Sequence, residues 1–190
     1  MASGFGAIRS RRVGDSPIEI GEGFAGEGPN AAHINTVLGS RSGAVGTAFA
    51  TALAQPTPGH VPFLAVWAAN VPVEPPTLFV NKATIASDAH GTLTWGPAQA
   101  GVAAGITEHA AERFSVRERS RLCLIVAVWV NPGADNADAV FANNRAATLG
   151  ALNQGRLAIT NNTDVDSAVA AFRAGGKPSN PYFDSPYSQP

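Results

Sequence analysis

Apolar residues alternate with polar or small residues along the first part of the chain, which is typical of strands with one buried face. Residues 18–24 and 31–38 follow this period and predict two strands joined by a glycine-rich turn. Residues 62–67 and 77–85 predict two more strands. Residues 121–130 are almost continuously apolar, and this pattern predicts a central strand because a strand buried on both faces loses its alternation.

Helical periodicity follows the strands in three places. The predicted helices cover residues 43–54, residues 97 to about 114, and a stretch from Asp135 or Asn136 to about Asn153. Ser42 is the predicted N-cap of the first helix, and Pro97 suits the first turn of the second. Because strands and helices alternate, we predict an α+β or α/β fold, with helices packed on a mixed sheet.

A length of 190 residues suits one domain. We expect a single domain over residues 16–174, a flexible leader over residues 1–15 and a tail rich in proline and serine over residues 175–190. The pair Arg11-Arg12 is not followed by the apolar run that an export signal needs. We therefore expect a cytoplasmic protein without a membrane span.

Composition limits the classes of partner. The chain is 45% hydrophobic but only 14% charged, so it has little charge to cover its surface and is predicted to form a homo-oligomer. A net charge of -1 argues against nucleic-acid binding. Cys123, the only cysteine, lies in an apolar run and is predicted to be buried. His60, His90 and His109 lack the spacing of metal ligands, so no metal site is expected.

One glycine pattern is misleading. Residues 21–26 match the spacing of a dinucleotide-binding loop. Such a loop must open directly into a helix, whose N-terminus receives the phosphate groups. Here Gly28-Pro29-Asn30 and another predicted strand follow instead, and the carboxylates of Glu22 and Glu27 would repel phosphate. We therefore reject a nucleotide site at this position.

Polar residues interrupt several apolar segments. His33 and Asn35 project from one face of their predicted strand, and Lys82 and Thr84 share a face of theirs. Gln99 lies in the first turn of the second predicted helix. If these elements adjoin, they form a pocket with one group that titrates near neutral pH, one cation and several hydrogen-bonding groups. Taken singly, each residue also has an ordinary structural explanation.

Taken together, these segments resemble the formaldehyde-activating enzyme family from about Ile20 to Arg113. The motifs that carry the resemblance are Gly21-Glu22, Ala32-His33-Ile34, Phe63-Leu64-Ala65-Val66, Asn81-Lys82-Ala83-Thr84-Ile85 and Gly96-Pro97-Ala98-Gln99-Ala100-Gly101-Val102-Ala103. The last two are the most specific, because they combine unusual polar placements with matched spacing.

The resemblance implies a fold like the second domain of ribosomal protein S5 and a homopentamer with the pterin between subunits. It implies that formaldehyde condenses with tetrahydromethanopterin, or a related reduced pterin, to methylene-tetrahydromethanopterin and water, with no metal. It makes His33 the proton donor. The positions that it assigns to pterin binding are Asn35, Leu64, Lys82, Thr84 and Gln99.

Asn35 departs from the family pattern, which has an aspartate at this position. A hydroxyl group leaves poorly unless it is protonated, so an imidazolium at His33 would assist the loss of water. Asparagine offers hydrogen bonds without charge. Its presence at position 35 has three alternative consequences: weaker acid catalysis, use of a different pterin, or little change. A pterin-binding or C1-carrier-binding homologue without catalysis, or a structural oligomer, are the alternative functions.

Overall fold

The structure is a computed structural model that describes residues 18–160 and 163–178, with the side chains of residues 158–165 left aside. The predicted leader and most of the predicted tail lie outside these residues. The strands are β1 (Glu19–Ala25), β2 (Ala32–Ser40), β3 (Phe63–Leu64), β4 (Val66–Ala68), β5 (Val71–Pro72), β6 (Thr77–Asn81) and β7 (Leu122–Val130). The helices are α1 (Ala44–Ala54), α2 (Asp88–Leu93), α3 (Gln99–Arg113), α4 (Val116–Arg119), α5 (Ala137–Thr160) and α6 (Thr163–Arg173).

Five strands form one mixed sheet in the order β1-β2-β7-β6-β3. Strands β6 and β7 run parallel, and the other neighbours are antiparallel. Helices α2, α3 and α4 make the crossover that a parallel pair requires. The prediction of an α+β fold with helices on a mixed sheet is confirmed, and so is the central position of β7. The likeness to ribosomal protein S5 stays a prediction.

One face of the sheet is buried under α3 and α5. Alternate residues of β2 and β7 enter a common core with the apolar residues of the two helices, as Ile34 and Val126 do with Val102 and Ala147. The intervening residues, which include His33 and Asn35, are only partly buried and project from the opposite face. The alternation that predicts the strands therefore also separates the core from the polar residues of interest.

The glycines of β1 explain the pattern that resembles a nucleotide loop. A Cβ atom on Gly21 would lie 1.7 Å from the carbonyl oxygen of Ala151, and one on Gly23 would lie 2.1 Å from that of Ala147. Helix α5 therefore packs its backbone directly against the strand, which only glycine permits at these two positions.

Several predicted boundaries are wrong. Ser42 does not cap α1; its hydroxyl lies 3.0 Å from that of Ser40, and Gly43 is the cap residue. The predicted strand over residues 62–67 divides at Ala65, between β3 and β4. Helical structure before α3 begins at Asp88, and a π-helical turn over Thr94–Ala98 connects α2 to α3. Helix α5 continues beyond Asn153, and α6 is not among the predicted elements.

Strand β6 ends at Asn81 rather than at residue 85. The Asn81 side chain donates one hydrogen bond to the carbonyl oxygen of Gly59 and another to that of Ala83, both at 2.8 Å. These bonds turn the chain away from the sheet. Lys82 still donates its backbone N–H to Val128 at 2.7 Å, whereas Thr84 lies in the loop that follows.

His90 and Cys123 have structural environments. His90 is buried, its Nδ1 accepts from the backbone N–H of Ala86 at 3.1 Å, and its Nε2 lies 3.0 Å from the carbonyl oxygen of Val130. Cys123 is buried and free, as predicted, and burial raises the pKa of its thiol. None of the helices described here has the length and apolar character needed to cross a membrane.

Candidate active site

Four polar side chains form a continuous hydrogen-bonded row on the sheet face opposite α3 and α5. The Lys82 Nζ donates to Asn35 Oδ1 at 2.7 Å, and Asn35 Nδ2 donates to Glu22 Oε1 at 3.3 Å. The same carboxylate oxygen lies 2.7 Å from His33 Nε2. We call Lys82, Asn35, Glu22 and His33 the polar row. It connects β1, β2 and the residue directly after β6.

Strand register assembles this row. Strands β1 and β2 pair so that Glu22 stands opposite Asn35 and Phe24 stands opposite His33. Glu22 therefore reaches the paired asparagine and, diagonally, the histidine two residues before it. Such diagonal neighbours on an antiparallel pair are within reach of long side chains.

The electrostatics of the row follow from these contacts. The hydrogen bond from His33 holds the pKa of Glu22 below its ordinary value, with a smaller contribution from Asn35, so this carboxyl is ionised at neutral pH. An ionised carboxylate only accepts hydrogen bonds, so the proton lies on Nε2 of His33. Burial lowers the pKa of Lys82, and the negative charge of Glu22 partly opposes that effect.

Aromatic packing holds the histidine ring. The rings of Phe24 and His33 are stacked, with their centroids 4.0 Å apart and their planes at 15°. On the neighbouring strand β7, the residue paired with His33 is Trp129. The His33 side chain stays 22% exposed, so the ring is oriented by its neighbours but remains open to a small molecule.

An apolar cleft lies at the β3 edge of the sheet, near the start of α3. Its volume is about 540 Å³, and its described lining is Val61, Phe63, Leu64, Val66, Trp95 and Gln99. Leu64 and Trp95 are 44% and 56% exposed, so the cleft presents large apolar side chains to solvent. Gln99 is buried and donates to the carbonyl oxygen of Val66 at 2.6 Å, which holds β4 against α3.

The structure thus divides the predicted site residues into two groups. His33, Asn35 and Lys82 meet in the polar row, whereas Leu64 and Gln99 line the cleft. Thr84 joins neither group: it is exposed and lies against Gly59, where a Cβ atom would be 2.8 Å from its hydroxyl oxygen. Among the residues described, no member of the polar row lines the cleft.

Glu22 and Phe24 are the site residues that sequence reasoning missed. A signal was present in the alternation of residues 18–24, because Glu22 and Phe24 fall on the strand face opposite the glycines that meet α5. What was lacking was the register of the pairing between β1 and β2. Within the described part of the chain, no cluster of three His, Cys, Asp or Glu side chains could hold a metal ion.

The fold and the site define an α+β protein with a carboxylate-bonded histidine and a lysine on an open sheet face, and with an apolar cleft at the β3 edge of the same sheet. This arrangement suits acid–base chemistry on a small organic substrate. Residues 20–175 match the family model of the formaldehyde-activating enzyme (Fae), and the chain belongs to that family. The family and the enzyme class expected from the sequence are confirmed.

Relatives with established names agree with this family. A 5,6,7,8-tetrahydromethanopterin hydro-lyase of Methanosarcina barkeri is 40% identical over 130 residues, which cover 68% of this chain and 73% of the relative. A bifunctional enzyme Fae/Hps of Methanothrix thermoacetophila is 34% identical over 176 residues, or 90% of this chain and 44% of the relative. A protein of the same name from Methanococcoides burtonii is 33% identical over 176 residues. The chain therefore spans less than half the length of these two bifunctional relatives.

Proposed function

We propose that this protein condenses formaldehyde with tetrahydromethanopterin, or a related reduced pterin, to the methylene-pterin and water, and that His33 is the general acid. The observation that carries the proposal is the position of His33. Its Nε2 is bonded to an ionised carboxylate, and its ring stands partly exposed on an open sheet face. The hydro-lyase relative and the family support the reaction class.

The chemistry needs an acid at one step. Addition of a substrate nitrogen to formaldehyde gives a hydroxymethyl group, whose oxygen must leave as water. An imidazolium at His33 would donate the proton from Nδ1 while Nε2 keeps its hydrogen bond to Glu22. The second substrate nitrogen then forms the other C–N bond and releases a proton, so that one water is lost for each formaldehyde consumed. Such acid catalysis contributes about 10²–10⁴-fold in rate.

The remaining predicted residues would bind the pterin. Lys82 and Asn35 offer polar anchors in the row, and Leu64 supplies an apolar wall in the cleft that Gln99 borders. Thr84, exposed in the loop after β6, would contribute its hydroxyl from the side of Lys82.

A homo-oligomer is part of the proposal, and the family resemblance makes it a pentamer. Within the described residues the polar row and the cleft share no side chain, which supports a pterin site shared between the row of one subunit and the cleft of its neighbour. The exposed Leu64 and Trp95 beside the cleft are the kind of surface that a neighbouring subunit or a bound pterin covers. We expect this assembly in the cytoplasm.

Asn35 favours one competing function. Both polar atoms of its amide are engaged, by Lys82 and by Glu22, and it adds no charge where the family has an aspartate. A homologue that binds a reduced pterin but does not turn it over is therefore the second candidate. This second candidate predicts that the protein binds the pterin without accelerating its condensation with formaldehyde, and that Asn35→Asp recovers the activity.

The deciding experiment mixes formaldehyde with each reduced pterin and follows the methylene adduct with wild type, His33→Ala and no protein. We expect acceleration above the spontaneous rate by wild type and loss of most of it in His33→Ala. Equal rates in all three samples would overturn the catalytic proposal, and pterin binding measured in the same samples would then identify the second candidate.

A further inference from the structure

We propose that Glu22 is a positioning residue for His33. The inference rests on the proposed function of His33 as an acid. Its basis is that one oxygen of Glu22 accepts from both residues, at 2.7 Å from His33 and at 3.3 Å from Asn35.

The contact selects one tautomer of the imidazole. A carboxylate has no proton to give at neutral pH, so it requires a hydrogen on Nε2 and leaves Nδ1 as the nitrogen that meets the substrate. Stacking on Phe24 restricts rotation of the His33 ring while Nε2 is hydrogen-bonded to Glu22. When Nδ1 donates its proton, the remaining neutral ring already has the tautomer that Glu22 holds.

The amide of Asn35 matches the charges of its two neighbours, Lys82 and Glu22. Its oxygen accepts from the Lys82 ammonium and its nitrogen donates to Glu22, an arrangement that a flipped amide could not make. An aspartate here would place a second carboxylate beside the first and would pair with Lys82 directly. Asn35 therefore adds a second hydrogen bond to the oxygen of Glu22 that His33 contacts.

Among the described residues, Glu22 and Lys82 are the charged groups of the polar row that contains His33. Strand β1 contributes Glu22, and Lys82 follows β6. On β7, the residues paired with His33 and Asn35 are Trp129 and Ala127, which carry no charge. A change of tautomer after substitution of Glu22 would therefore report on its contact with His33.

The test compares Glu22→Gln, which removes the charge, and Glu22→Ala, which removes the contact, with Glu112→Gln as the control. Glu112 is an exposed carboxylate on α3, away from the polar row. We expect kcat of both Glu22 variants to fall by about 10- to 100-fold, the effect of one hydrogen bond to a charged group. KM for the pterin should change little.

A second measurement does not depend on turnover. Nitrogen-15 NMR of the resting protein reports which imidazole nitrogen carries the proton. We expect the Nε2–H tautomer of His33 in wild type and in Glu112→Gln, and a mixture of tautomers in Glu22→Ala. Glu22 is 55% exposed, so these variants should fold, and circular dichroism checks that they do.

The outcomes separate the two proposals. If His33→Ala loses activity while both Glu22 variants keep the kcat and the tautomer of Glu112→Gln, the positioning role is overturned and the proposed function stands. If His33→Ala keeps the wild-type rate, the proposed function fails. In that case the NMR result still decides whether Glu22 selects the tautomer.

Discussion

Lys82 reaches Asn35 across a whole strand: its Nζ lies 2.7 Å from Asn35 Oδ1, although β7 stands between β6 and β2 in the sheet. The β7 residue that pairs with Asn35 is Ala127, which also pairs with Val80 on β6. The small side chain of Ala127 leaves space on this face of β7, and the Lys82 side chain passes through that space to Asn35. The contact between Lys82 and Asn35 thus depends on a residue whose side chain is only a methyl group.

Ala127→Leu should therefore break this contact by steric hindrance. We expect weaker binding of the reduced pterin, seen as a rise in KM or Kd of about tenfold, because Lys82 loses its hydrogen-bond acceptor at the site. Global stability should change little, since Ala127 is only half-buried. Titration of the pterin with wild type and variant checks the prediction. An unchanged Kd would show that the path of Lys82 over Ala127 has no effect on binding.

The contact between β1 and α5 gives a prediction about folding. Gly23→Ala places a methyl group 2.1 Å from the carbonyl oxygen of Ala147, so the helix must move away from the strand. We expect the free energy of unfolding to fall by about 1–3 kcal/mol, the usual cost of overpacking. Urea denaturation measures this change.

Gly150→Ala is the matched control for that experiment. Gly150 lies on the exposed side of α5, and a Cβ atom there would meet nothing within 4 Å. Because alanine is the better helix former, this variant should gain about 0.5–1 kcal/mol. A loss of stability in Gly150→Ala, or none in Gly23→Ala, would contradict the account of this packing.

His109 predicts how stability depends on pH. It is 5% exposed on α3, and burial, reinforced by the nearby positive charge of Arg113, lowers the pKa of its imidazole. The unfolded chain binds a proton here at about pH 6.5, whereas the folded protein binds it only at lower pH. The contribution of neutral His109 to the free energy of unfolding is therefore fully present above about pH 6.5 and is lost as the pH falls below this value.

Thermal unfolding at pH 8 and pH 5.5 checks this prediction. We expect the Tm of wild type to be lower at pH 5.5 than at pH 8. The difference should be smaller in His109→Gln, which has no imidazole to titrate. Glu22 and Glu118 do not complicate this window, because their pKa values lie below the ordinary value for glutamate. The same fall of Tm in both proteins would assign the effect to another group.

Local pattern accounts for much of the fold. The alternation of residues 31–38 predicts β2, and the apolar run of residues 121–130 predicts β7 in the middle of the sheet, because both patterns depend only on which faces are buried. The end of β6 was not predictable in this way. It depends on hydrogen bonds from Asn81 to Gly59, a residue 22 positions earlier in the chain. The division of the predicted strand at Ala65 likewise depends on distant partners, among them the carbonyl oxygen of Thr77.

The sequence by itself determined the family, the class of fold and the shared face of His33 and Asn35, because these follow from motifs and from the two-residue period of a strand. Only the tertiary structure decided that Glu22 bonds to His33 and that Lys82 reaches Asn35. Those contacts depend on the register of β1 against β2 and on the order β2-β7-β6. Register and strand order are set by long-range packing, such as the approach of α5 to Gly21 and Gly23, which a local pattern does not contain.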